Sequence, residues 1–252
     1  MANETEYAAP ASAHRQRHAI SIAFSQAGPI SIMIIGRHLD MLQKSGEKVI
    51  AAAAAEGITQ VLTVAADLQR RDQVDQAYQS IMNKLDKNDV KVINAVLLPA
   101  PGSLTDSKPE DLLRWSTAFL PFAGPEPVDF STSTCLANIA STPGLAGYTI
   151  SKAACLKTID YFAMENPNVR VVSVQQGWVA TASNGFQKEA PDKSELPGQF
   201  YIWLASPEDK FLKGKFVWAN WDAQELLEIV KEVRSTKLLN WIVQGVPTSI
   251  ED

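Results

Sequence analysis

The sequence has few of the residues and patterns that mark metal-binding, membrane or nucleic-acid-binding proteins. It contains two cysteines and three histidines, and neither Cys135 and Cys155 nor His14 and His18 show the spacing of a complete metal site. No apolar run approaches the roughly 20 residues that a membrane span needs. The net charge of −5, with no basic cluster, argues against nucleic acid or an anionic membrane as a partner. We therefore expect no metal, no nucleic acid and no membrane.

Length and composition indicate one globular unit. At 252 residues, with 46% hydrophobic and 20% charged residues, the chain is long enough for a single domain with a sizeable core and short for two. We expect residues 1–18 to form a loose tail and residues 19–252 to form the domain. No signal peptide is visible, so we expect a soluble protein of the reducing cytoplasm with free thiols.

Strand-like and helix-like segments alternate along the chain. Apolar β-rich runs predict strands over 30–35, 61–66, 90–98, 134–140, 169–174 and 215–218. Apolar residues at helical spacing predict helices over 19–27, 39–55, 74–85, 148–164, 198–205 and 222–233. Such alternation predicts an α/β fold, a Rossmann-like doubly wound parallel sheet. Residues 2–9 contain no β-rich run, so the first strand of such a sheet is not predicted.

Tyr148 and Lys152 form the most informative pair in the sequence. They are four residues apart in a predicted helix, so they share one face. A phenol, with an ordinary pKa of roughly 10, exchanges protons poorly near neutrality, but a neighbouring ammonium lowers that pKa. The pair then suits general acid–base chemistry on a carbonyl or alcohol oxygen. On spacing alone, the pair is far more typical of an aromatic ring that packs on a lysine stem.

The residues around this pair resemble the short-chain dehydrogenase/reductase family. Residues 136–156 are similar to its strand, active-site loop and YxxxK helix, and residues 200–222 are similar to the C-terminal region of a fungal branch. The resemblance implies that Tyr148 is the acid–base residue. It implies that Lys152 lowers the pKa of that tyrosine and binds the nicotinamide ribose, and that Ser141 donates to the substrate oxygen. Ser141 precedes Tyr148 by seven residues, a shorter spacing than is usual in the family.

The same resemblance implies a nicotinamide cofactor. Arg37 follows the family's second strand, where a guanidinium would meet a 2′-phosphate, so NADP is favoured over NAD. The alternative is a surface arginine at a strand end. Asp67 corresponds to the residue at the adenine edge, and Asn94 belongs to a partial NNAG motif. Val179 and Thr181 correspond to the loop over the nicotinamide.

One family motif is missing from the sequence. Ala11, Arg15 and Arg17 stand at the glycine positions of the turn that cradles the cofactor pyrophosphate. Those glycines let the backbone approach the phosphates closely, and side chains there obstruct that approach. The resemblance therefore implies a family member with a degenerate cofactor motif.

Three functions follow from these observations. The first is an NADP-dependent oxidoreductase that reduces a carbonyl or oxidises an alcohol of a small apolar metabolite in fungal secondary-metabolite biosynthesis. The second keeps Tyr148 and Lys152 for isomerisation, dehydration or cyclisation without hydride transfer, and the third is a non-catalytic scaffold. The partner is a small-molecule substrate, and a homo-oligomer is left open. Aromatic residues that suit an apolar pocket are Trp178, Phe186, Phe200, Tyr201, Trp203 and Trp218.

Overall fold

The structure, a computed structural model, describes residues 13–29, 31–53, 60–67, 70–84, 90–93, 129–134, 143–180 and 190–242. The strands are β1 (Ser31–Gly36), β2 (Gln60–Ala65), β3 (Val90–Ile93), β4 (Asp129–Thr134), β5 (Arg170–Gln175) and β6 (Phe216–Trp218). The helices are α1 (Ala13–Gln26), α2 (Leu39–Ala52), α3 (Arg71–Met82), α4 (Ala146–Glu165), α5 (Glu195–Ala205), α6 (Ala223–Glu228) and α7 (Val230–Ser235). A 3-10 helix, Glu208–Leu212, lies between α5 and β6.

The strands pair in parallel and form two sheets. β1 pairs with β2, and β3, β4, β5 and β6 pair in that order. Parallel neighbours need crossover connections, which α2 supplies between β1 and β2 and α4 supplies between β4 and β5. This arrangement confirms the predicted α/β fold with parallel strands. The prediction that no strand precedes the first helix falls on residues 1–12, outside the described residues.

The main core surrounds β5, whose six residues are all buried. Val172 and Val174 pack with aromatic and aliphatic residues of α5. Val171 packs in a second cluster with Ile159 and Phe162 of α4. Successive side chains of a strand point to opposite faces, so β5 is covered by helices on both sides. A strand covered on both faces is expected to be nearly continuous in apolar residues.

Helix α1 packs against both sheets. Ile20 belongs to the core cluster around β5, and Ile22 packs against the separate cluster of β1 and α2. The α1–α5 contact is close at Gly198, where an added Cβ would lie 2.9 Å from Ala23 Cβ and 3.0 Å from the Ala19 carbonyl oxygen. A glycine here lets two helix backbones approach each other more closely than a larger residue allows.

Several elements differ from prediction, among them α1, β4 and the last predicted helix. α1 begins at Ala13 rather than at residue 19, because alanine, arginine and glutamine favour helix even without an apolar period. β4 begins at Asp129, before the predicted start at residue 134, and residues 135–140 of the predicted strand lie outside the described residues. The threonines of β4 favour strand, although its pattern is not apolar. The last predicted helix is two short helices separated at Ile229, whose φ of −97° and ψ of 13° depart from helical values. Within the described part of the chain, no helix has the length and apolarity to cross a membrane.

Candidate active site

The candidate residues lie at the carboxyl ends of parallel strands. Arg37 follows β1, Asp67 lies two residues beyond β2, and Val179 lies beyond β5. Because α4 connects the parallel strands β4 and β5, its first turn lies at their carboxyl ends. Tyr148 is in that turn. Ligands of open α/β sheets bind in the crevice outside the carboxyl ends of the strands, so the topology brings these residues to the edge where a ligand is expected.

Tyr148 and Lys152 share one face of α4, as their spacing predicted. Lys152 Nζ lies 5.6 Å from the centroid of the Tyr148 ring, within the range of a cation–π contact. Lys152 is only 2% exposed, whereas Tyr148 is partly exposed. Lysine is almost never fully buried without a partner. This burial distinguishes the pair from a ring that rests on the stem of an exposed surface lysine.

Cys155 lies one turn beyond Lys152 and is buried. Burial raises the pKa of its thiol to about 11, and the positive charge of Lys152 acts in the opposite direction. Because the thiolate is the reactive form, this thiol is inert near neutral pH. Cys155 therefore packs as a small hydrophobic residue next to the pair.

A hydrogen bond joins the ends of β1 and β2, and a second one connects the segment after β2 to α3. The Ala66 N–H donates to the Gly36 carbonyl across 2.8 Å, and the Asp67 N–H donates to Gln73 Oε1 across 2.8 Å. Arg37, next to Gly36, is exposed, and no described carboxylate forms an ion pair with it. Arg37 and Asp67 are thus held on neighbouring strand ends, with the guanidinium open to an anionic ligand.

Val179 follows β5 and is 6% exposed. It forms an isolated parallel bridge with Asp192, and the Asp192 carboxylate accepts a hydrogen bond from the Trp178 N–H. The preceding Gly177 has a φ of +92°. No motif in the sequence identified Asp192, because its partners lie more than ten residues away along the chain. The resemblance had marked this segment through Val179, and the residue with positive φ is a glycine, which adopts that conformation at little cost.

Three predicted site residues lie outside the described residues: Ser141, Asn94 and Thr181. Their roles stay predictions. The aromatic Phe186 also lies outside them. In the part of the chain that the structure covers, no group of three or more His, Cys, Asp or Glu side chains could hold a metal ion.

The predicted set of pocket aromatics divides into two groups. Phe200 and Tyr201 are buried in the core because α5 packs on the sheet, and Trp203 is partly buried against that core. For Phe200 and Tyr201, the core is therefore the observed location. Trp178 is 50% exposed beyond β5, and Trp218 ends β6 with its ring stacked on Trp221 at 6.2 Å between centroids. These indoles lie at the carboxyl ends of adjacent strands.

Comparison with curated proteins identifies fungal relatives. No known protein-family model matches the chain. A short-chain dehydrogenase/reductase of Aspergillus novofumigatus is 27% identical over 85% of this chain and 79% of that protein. A short-chain dehydrogenase of Emericella variicolor is 26% identical over 85% of this chain and 81% of that protein. A short-chain dehydrogenase/reductase of Aspergillus aculeatus is 40% identical over a shorter stretch, 35% of this chain and 33% of the relative.

Solved structures share the fold. A short-chain type dehydrogenase/reductase from Mycobacterium ulcerans has a TM-score of 0.72 and 18% identity, over 81% of this chain and 83% of that chain. L-Sorbose reductase from Gluconobacter frateurii, complexed with NADPH and L-sorbose, has a TM-score of 0.70 and 17% identity, over 82% and 91%. The chain is thus similar in sequence to fungal short-chain dehydrogenases/reductases over most of its length, and it shares the fold of solved short-chain dehydrogenases/reductases.

Proposed function

We propose that this chain is an NADP(H)-dependent oxidoreductase that interconverts a carbonyl and an alcohol on a small apolar metabolite of fungal secondary metabolism. The observation that carries the proposal is the Tyr148–Lys152 pair, with the lysine buried and its Nζ 5.6 Å from the tyrosine ring. A partly exposed phenol beside a buried cation suits proton transfer to a substrate oxygen.

In this proposal, Tyr148 transfers the proton and Lys152 stabilises the negative charge of the phenolate. The phenol O–H donates its proton to the carbonyl oxygen during reduction, and the phenolate takes the proton back from an alcohol during oxidation. The Lys152 ammonium stabilises the phenolate, since opposite charges attract strongly where water is excluded. Ser141 donates a hydrogen bond to the same substrate oxygen. NADPH, when bound, supplies the hydride that completes the reduction.

The described residues fit the adenosine end of NADP. Arg37 is exposed at the end of β1, and no described carboxylate neutralises it, so its planar guanidinium is available to a 2′-phosphate. Asp67 lies on the neighbouring strand end, where it would contact the adenine edge. Val179, Thr181 and Asn94 complete the proposed cofactor contacts. L-Sorbose reductase of similar fold was solved with NADPH, which supports the choice of nicotinamide cofactor.

The exposed indoles support an apolar substrate. Trp178 is 50% exposed and Trp221 is 39% exposed, on segments that follow β5 and β6. Flat apolar surfaces near a few convergent polar groups are typical of small-molecule sites. We therefore propose an apolar or aromatic carbonyl compound as the substrate class.

Cofactor titration tests the proposal. Energy transfer from tryptophan to bound nicotinamide is measured for NADPH and NADH with the wild type, Arg37→Ala and Arg234→Ala, a matched exposed arginine on α7. Loss of charged hydrogen bonds predicts about tenfold or greater weakening of NADPH binding by Arg37→Ala, with NADH binding unchanged and Arg234→Ala like the wild type. Equal binding of both cofactors would contradict the choice of NADP, and no binding at millimolar concentration would exclude hydride transfer from NADPH.

Tyr148→Phe tests the proton-transfer role separately. The variant keeps the ring and removes the hydroxyl, so NADPH binding should persist while carbonyl reduction falls by about 10²- to 10⁴-fold. Turnover is followed as loss of NADPH absorbance with a panel of aromatic and aliphatic ketones. Unchanged turnover in Tyr148→Phe would overturn the assignment.

A second candidate function is acid–base chemistry without hydride transfer. It is favoured by Arg15 and Arg17, which stand at family glycine positions and lie within α1 rather than in a glycine-rich turn. It predicts that wild-type protein fails to bind NADPH, yet Tyr148→Phe abolishes isomerisation or dehydration of a carbonyl substrate. The cofactor titration separates the two functions.

A further inference from the structure

We propose that Asp192 is a positioning residue, which holds the segment Gly177–Val179 in place for the nicotinamide end of the cofactor. The inference rests on the proposed function, because Val179 belongs to the proposed cofactor loop. It adds a residue that no sequence motif identified and that acts through the backbone of its neighbours.

Asp192 contacts this segment through both its side chain and its backbone. Its carboxylate Oδ2 accepts a hydrogen bond from the Trp178 N–H, and its own N–H donates to the Trp178 carbonyl across 3.2 Å. It also forms a parallel bridge with Val179. Hydrogen bonds to an ionised acceptor are roughly twice as strong as neutral ones, so the carboxylate contributes much of this connection.

The backbone of Gly177 lies close to the same Asp192 carboxylate. Its φ of +92° is one that L side chains rarely adopt, and an added Cβ would lie 2.7 Å from Asp192 Oδ2 and 3.0 Å from its Cγ. The Gly177 N–H donates to Gln175 Oε1, which fixes the backbone from the β5 side. The close approach of Asp192 therefore depends on a glycine at this position.

These hydrogen bonds hold the backbone that follows β5 in one conformation. Val179 is buried, while its neighbour Trp178 is half exposed although both of its backbone groups are bonded to Asp192. A group held by backbone hydrogen bonds contacts a ligand without the entropy cost of ordering a loop on binding. Loss of the Asp192 carboxylate should therefore weaken cofactor binding without removing any group that touches the cofactor.

The test compares NADPH affinity in Asp192→Ala, Asp192→Asn and Asp222→Ala. Asparagine keeps an oxygen that accepts the Trp178 N–H. Asp222 is a matched control because its carboxylate also accepts a backbone N–H, that of Gln224 at 2.7 Å, at the start of α6. We expect about tenfold weaker NADPH binding in Asp192→Ala, an intermediate loss of about threefold in Asp192→Asn, and no change in Asp222→Ala. Hydrogen exchange of the Trp178 amide should accelerate only in Asp192→Ala.

Three other outcomes would contradict the proposal. Wild-type affinity in Asp192→Ala would overturn the role of Asp192 and leave the proposed function standing. Equal weakening in Asp192→Ala and Asp222→Ala would assign the effect to general destabilisation and also overturn it. Failure of the wild type to bind NADPH would remove the proposed function and this inference together.

As an internal check, Gly177→Ala should be less damaging to NADPH affinity in the Asp192→Ala background than in the wild type, because the steric conflict is relieved while the backbone strain remains.

Discussion

Lys91 makes a pH-dependent contribution to folding stability that can be worked out from its surroundings. Its Nζ lies 4.7 Å from the centroid of the Tyr78 ring on α3. Burial lowers the pKa of Lys91 to about 7, compared with about 10.4 in an unfolded chain. Between these two values the unfolded state holds a proton that the folded state lacks. Stability therefore rises as pH increases through this range.

The change in stability is best measured between pH 7 and pH 8.5. Over this interval the Lys91 pKa difference predicts a gain in unfolding free energy of about 1 to 2 kcal/mol. Cys155 opposes part of it, because burial raises its folded pKa to about 11 and its unfolded thiol begins to ionise near pH 8.5; the offset is about a quarter of the gain. Burial and the nearby Lys48 lower the pKa of His18. Like Lys91, His18 therefore raises the unfolding free energy as pH increases, but most of this gain is complete by pH 7.

Lys91→Met removes the titrating amine and keeps a side chain of similar length. Urea unfolding, followed by tryptophan fluorescence at equal ionic strength, should show wild-type stability rising from pH 7 to pH 8.5 and a flat or falling profile in Lys91→Met. Lys157→Met is the control, because Lys157 Nζ also lies near an aromatic ring, 5.8 Å from the Tyr161 centroid, but its side chain is 59% exposed. The control should keep the wild-type slope. An identical slope in wild type and Lys91→Met would refute the reasoning.

Three further predictions concern packing and reactivity. Asp209→Asn should destabilise the fold by about 3 to 5 kcal/mol in urea unfolding, because it removes the buried negative charge that pairs with the buried Arg170; a loss below about 1 kcal/mol would contradict this. Gly198→Val should cost about 1 to 3 kcal/mol by forcing α5 away from Ala19, and wild-type stability would argue against the close helix contact. Cys155 should react with maleimide at pH 7.5 only after unfolding, because it is buried and burial raises its pKa to about 11; mass spectrometry of the folded protein checks this.

Local patterns were sufficient to predict the strand–helix alternation and the face shared by Tyr148 and Lys152. A spacing of four residues fixes the relative direction of two side chains on a helix, whatever the helix packs against. The burial of Lys152 was not predictable in this way, because it depends on the elements that cover α4. Spacing thus predicted the contact, and tertiary structure determined its environment.

Long-range contacts account for what the sequence could not predict. Lys91 lies between Val90 and Val92, an alternation that predicts a solvent-facing lysine on a strand, but its ammonium lies over the Tyr78 ring of α3. Asp192 lacked a motif because its partner Trp178 is fourteen residues away. For the same reason, the sequence could not separate aromatic residues of the core from aromatic residues of a pocket. An aromatic side chain suits a core as well as a pocket, and only the packing of α5 separates the two.

The two sheets imply a link between cofactor binding and stability. Arg37 and Asp67 belong to the sheet of β1 and β2, whereas Tyr148, Lys152 and Val179 belong to the side of β4 and β5. Among the described strands no ladder joins the two sheets, and α1 packs against both. A dinucleotide that contacted Arg37 at one end and Val179 at the other would bind only when the two sheets are correctly arranged. Its binding free energy would therefore stabilise that arrangement by RT ln(1 + [L]/Kd), about 2.7 kcal/mol at a hundred times Kd. A ligand-induced rise in Tm is therefore expected in the wild type and is expected to be lost in Arg37→Ala, even where the fold of the unliganded variant is unchanged.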